Sequence, residues 1–396
     1  MKIVFFTHPE RLSSASMPRF ARMLGQGMSV QGHDIEYWTS PHFAGRVAVP
    51  HAGGRKWLGY VDQFLLYPSM LARRVRQEPT ATLFVITDHA LGPWVPRIAK
   101  RAHVIHCHDF LAQRSAFGEV PENPTRWTGQ RYQALIRRGY RRGQNFISVS
   151  HRTRDDLHRF LGRQPSMSEV VHNGLNGNFR VLPVDESQRT LEGHLTSADT
   201  SGFLLHVGGN QWYKNRRGVI DLYRAWCQRT TSTPPMPLWM VGCEPGETLR
   251  RSADSMPRGG QVRFMVGLSD DQVRAAYNLA ALFLFPSLDE GFGWPIAESM
   301  ACGTPVLTTD APPMTEVGGQ AAAYLRRRQP ADVNWADDGG RIIEELISES
   351  REDRENRQQR CLDQAANFTA ANALDAYEAI YRRVLASQSI NPRVTR

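Results

Sequence analysis

The sequence predicts an α/β protein built of two doubly wound domains. Short apolar runs alternate with helical stretches through the first half. A polar, turn-rich stretch at 183–201 interrupts the alternation, after which the same pattern restarts. The length of 396 residues, 41% of them apolar, is long for one core and comfortable for two. The expected layout is a first domain over 1–182, a linker over 183–201, a second domain over 202–370 and a closing helix over 371–396.

In the first domain, strands are expected at 2–7, 35–38, 82–87, 103–107, 145–149 and 169–172, with helices at 19–31 and 126–142 between them. Asn173-Gly174 follows the last of these strands and reads as a structural turn with positive φ. In the second domain the strand pattern covers 203–207, 237–241, 262–266, 281–285 and 305–308. Ser269-Asp-Asp-Gln272 has the form of a capping box opening a helix at 270–280. The tail from 341 is helical and charged, and Ala373, Leu374, Tyr377, Ile380, Tyr381 and Leu385 recur at helical spacing.

The net charge is +9, from 48 Lys and Arg against 39 Asp and Glu, which favours anionic partners such as nucleotides, phosphates or anionic lipid. The five cysteines (Cys107, Cys227, Cys243, Cys302 and Cys361) lie far apart, without metal-ligand spacing, as suits a reducing compartment. Met1 to Phe6 runs straight into Thr7-His-Pro-Glu10, so no secretory leader is expected. No apolar run reaches the roughly 18 residues that a membrane-crossing helix needs. The expected location is the cytoplasm, with at most a peripheral membrane contact.

The most informative segment runs from Pro286 to Leu307. Glu290 and Glu298 stand eight residues apart, separated by Gly291-Phe292-Gly293-Trp-Pro295. A buried strand leads in. A short helix leads out and carries Pro295 in its first turn, where a missing N–H costs nothing. Gly291 and Gly293 let the backbone bend and approach a ligand, and the free N–H groups of the helix start can face an anion. Two acids beside an anion site suit a ligand carrying both a diphosphate and hydroxyl groups. A second anchor is Gly208-Gly209-Asn210-Gln-Trp-Tyr-Lys214, where a buried strand ends in glycines and a lysine opens a helix. In the first domain, His108-Asp109 leaves a buried strand at the end where α/β folds place ligand groups. His108 is preferred to His106 because it stands at the strand's exit.

The segment around Glu290 and Glu298 resembles the Glu-x7-Glu motif of the retaining glycosyltransferases of family four. The likeness continues through Gly303-Thr-Pro305-Val and Glu316-Val-Gly-Gly319. The resemblance implies the GT-B fold: two Rossmann-like domains facing a cleft, with the last helix crossing back onto the first. It implies a retaining hexosyl- or deoxyhexosyltransferase using a nucleotide-sugar donor and a glycan or lipid-linked acceptor, in bacterial surface polysaccharide synthesis. It implies no cofactor and no metal, in keeping with the lack of a paired-aspartate motif, and no nucleic-acid partner.

By that resemblance Lys214 binds the donor diphosphate, Glu298 holds the ribose hydroxyls, and Glu290 contacts the sugar. Gly208, Gly209, Asn210, Gly291, Phe292 and Gly293 line the donor, and Gly267 and Leu268 meet the base. His108 faces acceptor and donor sugar, with Asp109 beside it. Catalytic roles fall on Glu290, Lys214 and His108. Two departures stand out. The arginine that the family commonly carries shortly before this lysine is missing, with Arg216 or Arg217 as substitutes. The first loop has Ser13, Ser14 and Ser16 where relatives often have glycines, so the acceptor side rests on those serines. A nicotinamide-dinucleotide enzyme would want Gly-x-Gly-x-x-Gly there. The alternatives are a protein that binds nucleotide sugars or anionic lipid without turnover, and a GT-B epimerase or phosphorylase.

The expected helix at 126–142 combines Arg126, Arg131, Arg137, Arg138, Arg141 and Arg142 with Trp127, Tyr132 and Tyr140. That mixture suits an anionic membrane surface or a lipid-diphosphate acceptor, and equally a solvated helix of an arginine-rich protein. Residues 59–76 form a second amphipathic candidate whose aromatic residues are expected in the core.

Overall fold

The structure, a computed structural model, describes residues 1–8, 16–40, 66–175, 179–199 and 201–390, without the side chains of Ser16, Ser389 and Ile390. It divides into two units, Met1–His172 with Ala371–Arg396, and Asn173–Ala370.

The first unit holds strands β1 (Lys2–Phe6), β2 (Asp34–Trp38), β3 (Leu83–Ile86), β4 (His103–Cys107), β5 (Asn145–Ser148) and β6 (Met167–Val170). They form one sheet in the order β2-β1-β3-β4-β5-β6, every pair parallel. Both faces are covered, which is why these strands read as unbroken apolar runs. Val4, Phe6, Phe84 and Ile86 enter one core; Ile3, Phe5, Leu83 and Val85 enter the other. The helix Ser16–Val30 covers the second face, and the closing helix Ala370–Ile390 joins it there. Tyr377, Ile380, Tyr381 and Val384 are buried against that face, at about 1.5–3 kcal/mol each. On the first face, helix Trp127–Tyr140 lies flush on the 3-10 segment His89–Arg97. Gly92 and Gly139 permit this, since a Cβ on Gly139 would overlap the Gly92 carbonyl. Within the second amphipathic candidate, Tyr67 and Leu71 are buried while Leu66 and Met70 are exposed. Tyr60, Phe64 and Leu65 lie outside the described residues.

The second unit repeats the plan with β7 (Phe203–Gly208), β8 (Leu238–Gly242), β9 (Val262–Val266), β10 (Ala280–Phe285), β11 (Val306–Thr309) and β12 (Ala323–Leu325). The order is β12-β11-β10-β7-β8-β9, again all parallel. The three-residue edge strand β12, at the end of the apolar run Ala321–Leu325, was not among the expected strands. Ser269 and Gln272 close the expected capping box on helix Asp270–Leu279.

The stretch 183–201, expected as a linker, is part of the second unit instead. It contains the helix Val184–Thr190, and Leu191 is fully buried. Asp199 accepts the Trp239 indole N–H at 2.7 Å and pairs with Arg263. Its polar residues bond locally or to the unit's interior, so polarity here does not signal solvent. The chain changes unit at 172/173, ten residues before the expected boundary at 182. Gly174 also departs from expectation. Its φ is not in the left-handed region; what it supplies is room, since a Cβ would stand 2.5 Å from the Ala370 Cα.

Candidate functional site

In each sheet the strand order reverses at one point, between β1 and β3 in the first unit and between β7 and β10 in the second. Connections leave in opposite directions there, opening a crevice at the carboxyl ends of the strands. Lys214 and Glu290 lie in the loops that follow β7 and β10, the two strands at the second reversal.

In the second unit, β7 runs out through Gly208 and Gly209 into a 3-10 turn, Trp212–Lys214. Asn215 ends that turn in the left-handed conformation at φ 50°. Its amide donates to the Pro286 carbonyl at 2.9 Å, and Leu288 N–H donates to the Tyr213 carbonyl at 2.8 Å. The loops after β7 and β10 are therefore tied together. This brings Lys214 Nζ to 2.7 Å from Glu290 Oε1, with both side chains largely buried. Ser287 Oγ donates to the same carboxylate oxygen at 2.9 Å. The ammonium also lies 4.9 Å from the centre of the Phe285 ring.

Gly291 and Phe292 follow, with Phe292 buried edge-on against Phe368 at 5.6 Å. Gly293, at φ 101°, starts the helix Trp294–Ala301, and Pro295 stands in its first turn. Glu298 belongs to a neighbouring group, where its Oε2 accepts from the buried Tyr277 hydroxyl at 3.1 Å. Burial and the Glu298 charge hold that phenol well above its usual range. Gly267 follows β9 exposed at φ 79°, with half-buried Leu268 beside it.

Asn210 is exposed, and its amide donates to the Glu244 carbonyl at 2.8 Å. Arg216, one of the two substitutes considered for the missing arginine, is buried beneath it. Its Nη1 donates to the Asn210 side-chain oxygen and, at 2.9 Å, to the Cys243 carbonyl. Its Nε and Nη2 have no partner among the described residues. Arg217, the other substitute, is turned onto Asp221 at 3.0 Å.

His206, on β7, was not singled out by sequence. It is fully buried; Nδ1 donates to the Leu284 carbonyl at 2.9 Å, and Nε2 has no partner among the described residues. Burial pushes its pKa down to about 3 against the opposing Leu284 bond, so the ring is neutral near pH 7. A Cβ on Gly208 would stand 2.9 Å from that free nitrogen, which places the nitrogen directly under the glycine turn. Only an alternating buried strand position marked it in sequence.

In the first unit, His108 is buried at the end of β4. Its Nε2 donates to the Thr87 carbonyl at 2.8 Å, leaving the lone pair of the neutral ring on Nδ1. Phe20 packs edge-on at 4.5 Å. Burial lowers the His108 pKa although Asp88 opposes it, and burial raises that of Asp109. His106 turns to the opposite purpose, bonding Tyr381 at 2.7 Å inside the core.

The sequence reading missed Asp88, just past β3. It accepts from His8 at 2.9 Å, lies 3.2 Å from His89 Nδ1 and takes the Ala90 N–H at 2.9 Å. Burial would raise its pKa, but the His8 bond and the nearby His89 ring hold the carboxyl well below the usual range. His8, Asp88 and His108 thus gather at the ends of β1, β3 and β4. Ser13 and Ser14 lie outside the described residues, as does the Ser16 side chain.

Comparison with known proteins bears on the family and the fold. Residues 17–178 match the family model described as Glycosyltransferase Family 4, and residues 187–360 match that described as Glycosyl transferases group 1. The chain is 29% identical over 183 residues to O-antigen chain mannosyltransferase B of Escherichia coli, covering 45% of this chain and 46% of that protein. It is 30% identical over 310 residues to D-inositol 3-phosphate glycosyltransferase of Mycolicibacterium smegmatis, covering 74% and 64%. The chain spans less than half the length of several curated relatives it matches. Among solved structures, sucrose-phosphate synthase of Thermosynechococcus elongatus superposes with a TM-score of 0.70 at 16% identity, over 98% of this chain and 100% of that one. HepE of Anabaena in complex with UDP and glucose gives 0.68 at 16% identity, over 98% and 99%. These likenesses show the GT-B fold, two Rossmann-like units in one chain.

Proposed function

The chain belongs to the family 4, group 1 glycosyltransferases, and we propose that it moves a hexose from a nucleotide-sugar donor to a glycan or lipid-linked acceptor, with retention at the anomeric carbon. The observation that carries this reading is the buried Lys214–Glu290 pair, 2.7 Å apart at the reversal between β7 and β10. The place is right for a nucleotide, and the charges are right for a diphosphate joined to a sugar. Relatives named as O-antigen mannosyltransferases support a hexose donor and a role in surface polysaccharide synthesis.

In this reading the donor diphosphate lies against Lys214, the Gly208 and Gly209 backbone and the helix start after Gly293. As the anomeric C–O bond breaks, the leaving diphosphate gains negative charge, and these groups stabilise it in place of water. An ammonium has three N–H donors, so Lys214 keeps its bond to Glu290 while a phosphate oxygen takes another. Glu290 is thereby held by Lys214 and Ser287 where it contacts sugar hydroxyls and steadies positive charge at the anomeric carbon. Glu298, fixed by Tyr277, takes the ribose hydroxyls. Asn210, Gly267, Leu268, Gly291 and Phe292 line the base and phosphates. The acceptor oxygen attacks the face that the diphosphate leaves, and its proton passes to the departing phosphate oxygen. His108, with Asp109 and the His8–Asp88 pair, meets the acceptor. The lysine and backbone N–H groups supply the charge that a metal would otherwise bring, so no metal and no cofactor are needed.

Five unpaired cysteines, four of them buried, support a reducing compartment, hence the cytoplasm. Among the described residues no helix is long and apolar enough to cross a membrane.

The test is a thermal-shift screen of UDP, GDP, ADP, CMP and dTDP sugars, mannose-bearing ones included, followed by a transfer assay with the stabilising donor. A true donor raises the melting temperature by mass action. Lys214→Ala should diminish that shift and sharply slow the transfer. Stabilisation without transfer or donor hydrolysis would favour a binding protein instead, and no stabilisation by any donor would remove the proposal.

A further inference from the structure

Helix Trp127–Tyr140 turns Ile136 and Tyr140 into the first unit's core. Its opposite side is of another kind. At 3.6 residues per turn, positions 127, 131, 135 and 138 fall on one face, and 142 continues it past the helix end. They are Trp127, Arg131, Leu135, Arg138 and Arg142, all exposed. Beside this stripe lies a cavity of about 730 Å³, walled by Leu135, Pro68, Pro93 and Pro96 and by six cations: Arg97, Lys100, Arg138, Arg141, Arg142 and Arg163. No carboxylate lines it among the described residues. Arg163 is held there by bonds to the Arg141, Gly143 and Gln164 carbonyls.

The same chain treats arginine differently elsewhere. On helix Arg351–Ala365, Arg351 pairs with Glu355 at 2.8 Å, and Arg357 with Glu349. A solvated charged face ordinarily mixes signs in that way, because like charges at close range repel. The cavity does the reverse and concentrates one sign around a concave surface, where the potential is focused. Large apolar side chains border it in the open: Trp127 is 66% exposed, and Leu66 and Met70, two residues to either side of Pro68, are 44% and 47% exposed. Cations around a hollow, flanked by exposed Trp, Leu and Met, match a surface that is negative outside and apolar just beneath.

We propose that this face docks on an anionic phospholipid bilayer, seating a phosphate-bearing headgroup among the six cations while Trp127 and Leu135 enter the headgroup layer. The membrane contact resolves the two readings that the sequence left open for this helix. It goes beyond the transfer reaction and does not depend on it, because none of these residues belongs to the donor or acceptor groups described above.

The experiment is flotation of the full chain with vesicles, either phosphatidylcholine alone or phosphatidylcholine mixed with phosphatidylglycerol, at low and high salt. Binding is expected to the mixed vesicles alone, and to fall as added salt shortens the Debye length to a few ångströms. Arg138→Glu/Arg142→Glu should weaken it roughly thirtyfold or more, by loss of surface attraction per cation. Arg351→Glu/Arg360→Glu makes the same change of net charge on the second unit and should bind like the parent. All variants are checked for an unchanged melting temperature. Equal loss in both double variants would reduce the effect to net charge and overturn the proposal. So would lack of binding to the mixed vesicles at low salt. Displacement from them by inorganic phosphate at matched phosphate concentration would make a free anion the ligand, and would likewise overturn it.

Discussion

The Tyr277 hydroxyl donates to Glu298 Oε2 at 3.1 Å, so a phenol from helix Asp270–Leu279 fixes the orientation of a carboxylate on helix Trp294–Ala301. The ring itself is packed edge-on against Phe283 at 5.2 Å and Phe179 at 5.9 Å. Tyr277→Phe therefore removes the bond and keeps the packing. The expected result is a several-fold rise in donor KM with kcat nearly unchanged, and a loss of about 1 kcal/mol of stability. Steady-state kinetics and denaturant unfolding read the two separately. A fall in kcat at constant KM would instead assign Glu298 to the chemical step.

Lys214→Ala leaves the Glu290 carboxylate buried with Ser287 but without its cation. Activity should fall by roughly 100- to 1,000-fold, the usual effect of removing one preorganised donor from a developing charge. Stability should fall by about 1–3 kcal/mol, because one partner of a buried pair is left behind. Lys214→Met/Glu290→Gln should recover the stability and none of the activity. Unchanged transfer by the folded single variant would remove Lys214 from the mechanism.

His206 sets an acid limit on the second unit. Its folded pKa of about 3 lies below the ordinary histidine value of 6.5. Between these values the unfolded chain takes a proton that the folded one refuses, so stability falls as pH drops through that window. The slope is about 1.4 kcal/mol per pH unit for one proton. His206→Asn keeps an N–H for the Leu284 carbonyl and cannot titrate. Urea melts between pH 4 and 6.5 should show its slope shallower by about one proton. The buried His103, His106 and His108, also lowered by burial, keep the remaining acid sensitivity in the first unit.

Gly242 ends β8 at φ 144°, and a Cβ there would overlap the Gly208 carbonyl. Gly242→Ala must push the ends of β7 and β8 apart. We expect a loss of about 1–3 kcal/mol from overpacking, together with a diminished donor-induced thermal shift. A full-sized shift in a destabilised protein would mean that the Gly208 turn does not meet the phosphates.

Much of this was legible in the sequence because parallel strands buried on both faces leave unbroken apolar runs, and a glycine or a proline beside such a run marks where the chain turns. Lys214 and Glu290 were singled out for that reason, each in a loop that follows a strand, and the structure pairs them. Tyr277, His206 and Asp88 were not. Their contacts are with partners far along the chain: Tyr277 with Glu298, His206 with Leu284, Asp88 with His8. No local spacing encodes those pairs. The stretch 183–201 misled for a related reason, since Asp199 looks solvated until Trp239 and Arg263 are seen to enclose it.

The closing helix Ala370–Ile390 is part of the first unit, so the entire second unit is threaded between two pieces of the first. During synthesis the order of completion is therefore inverted. The second unit has all of its residues once Ala370 has emerged, while Phe5 and Phe20 still await Tyr377, Tyr381 and Val384 over their core. Cutting the chain back to residue 370 should accordingly injure its beginning rather than its middle.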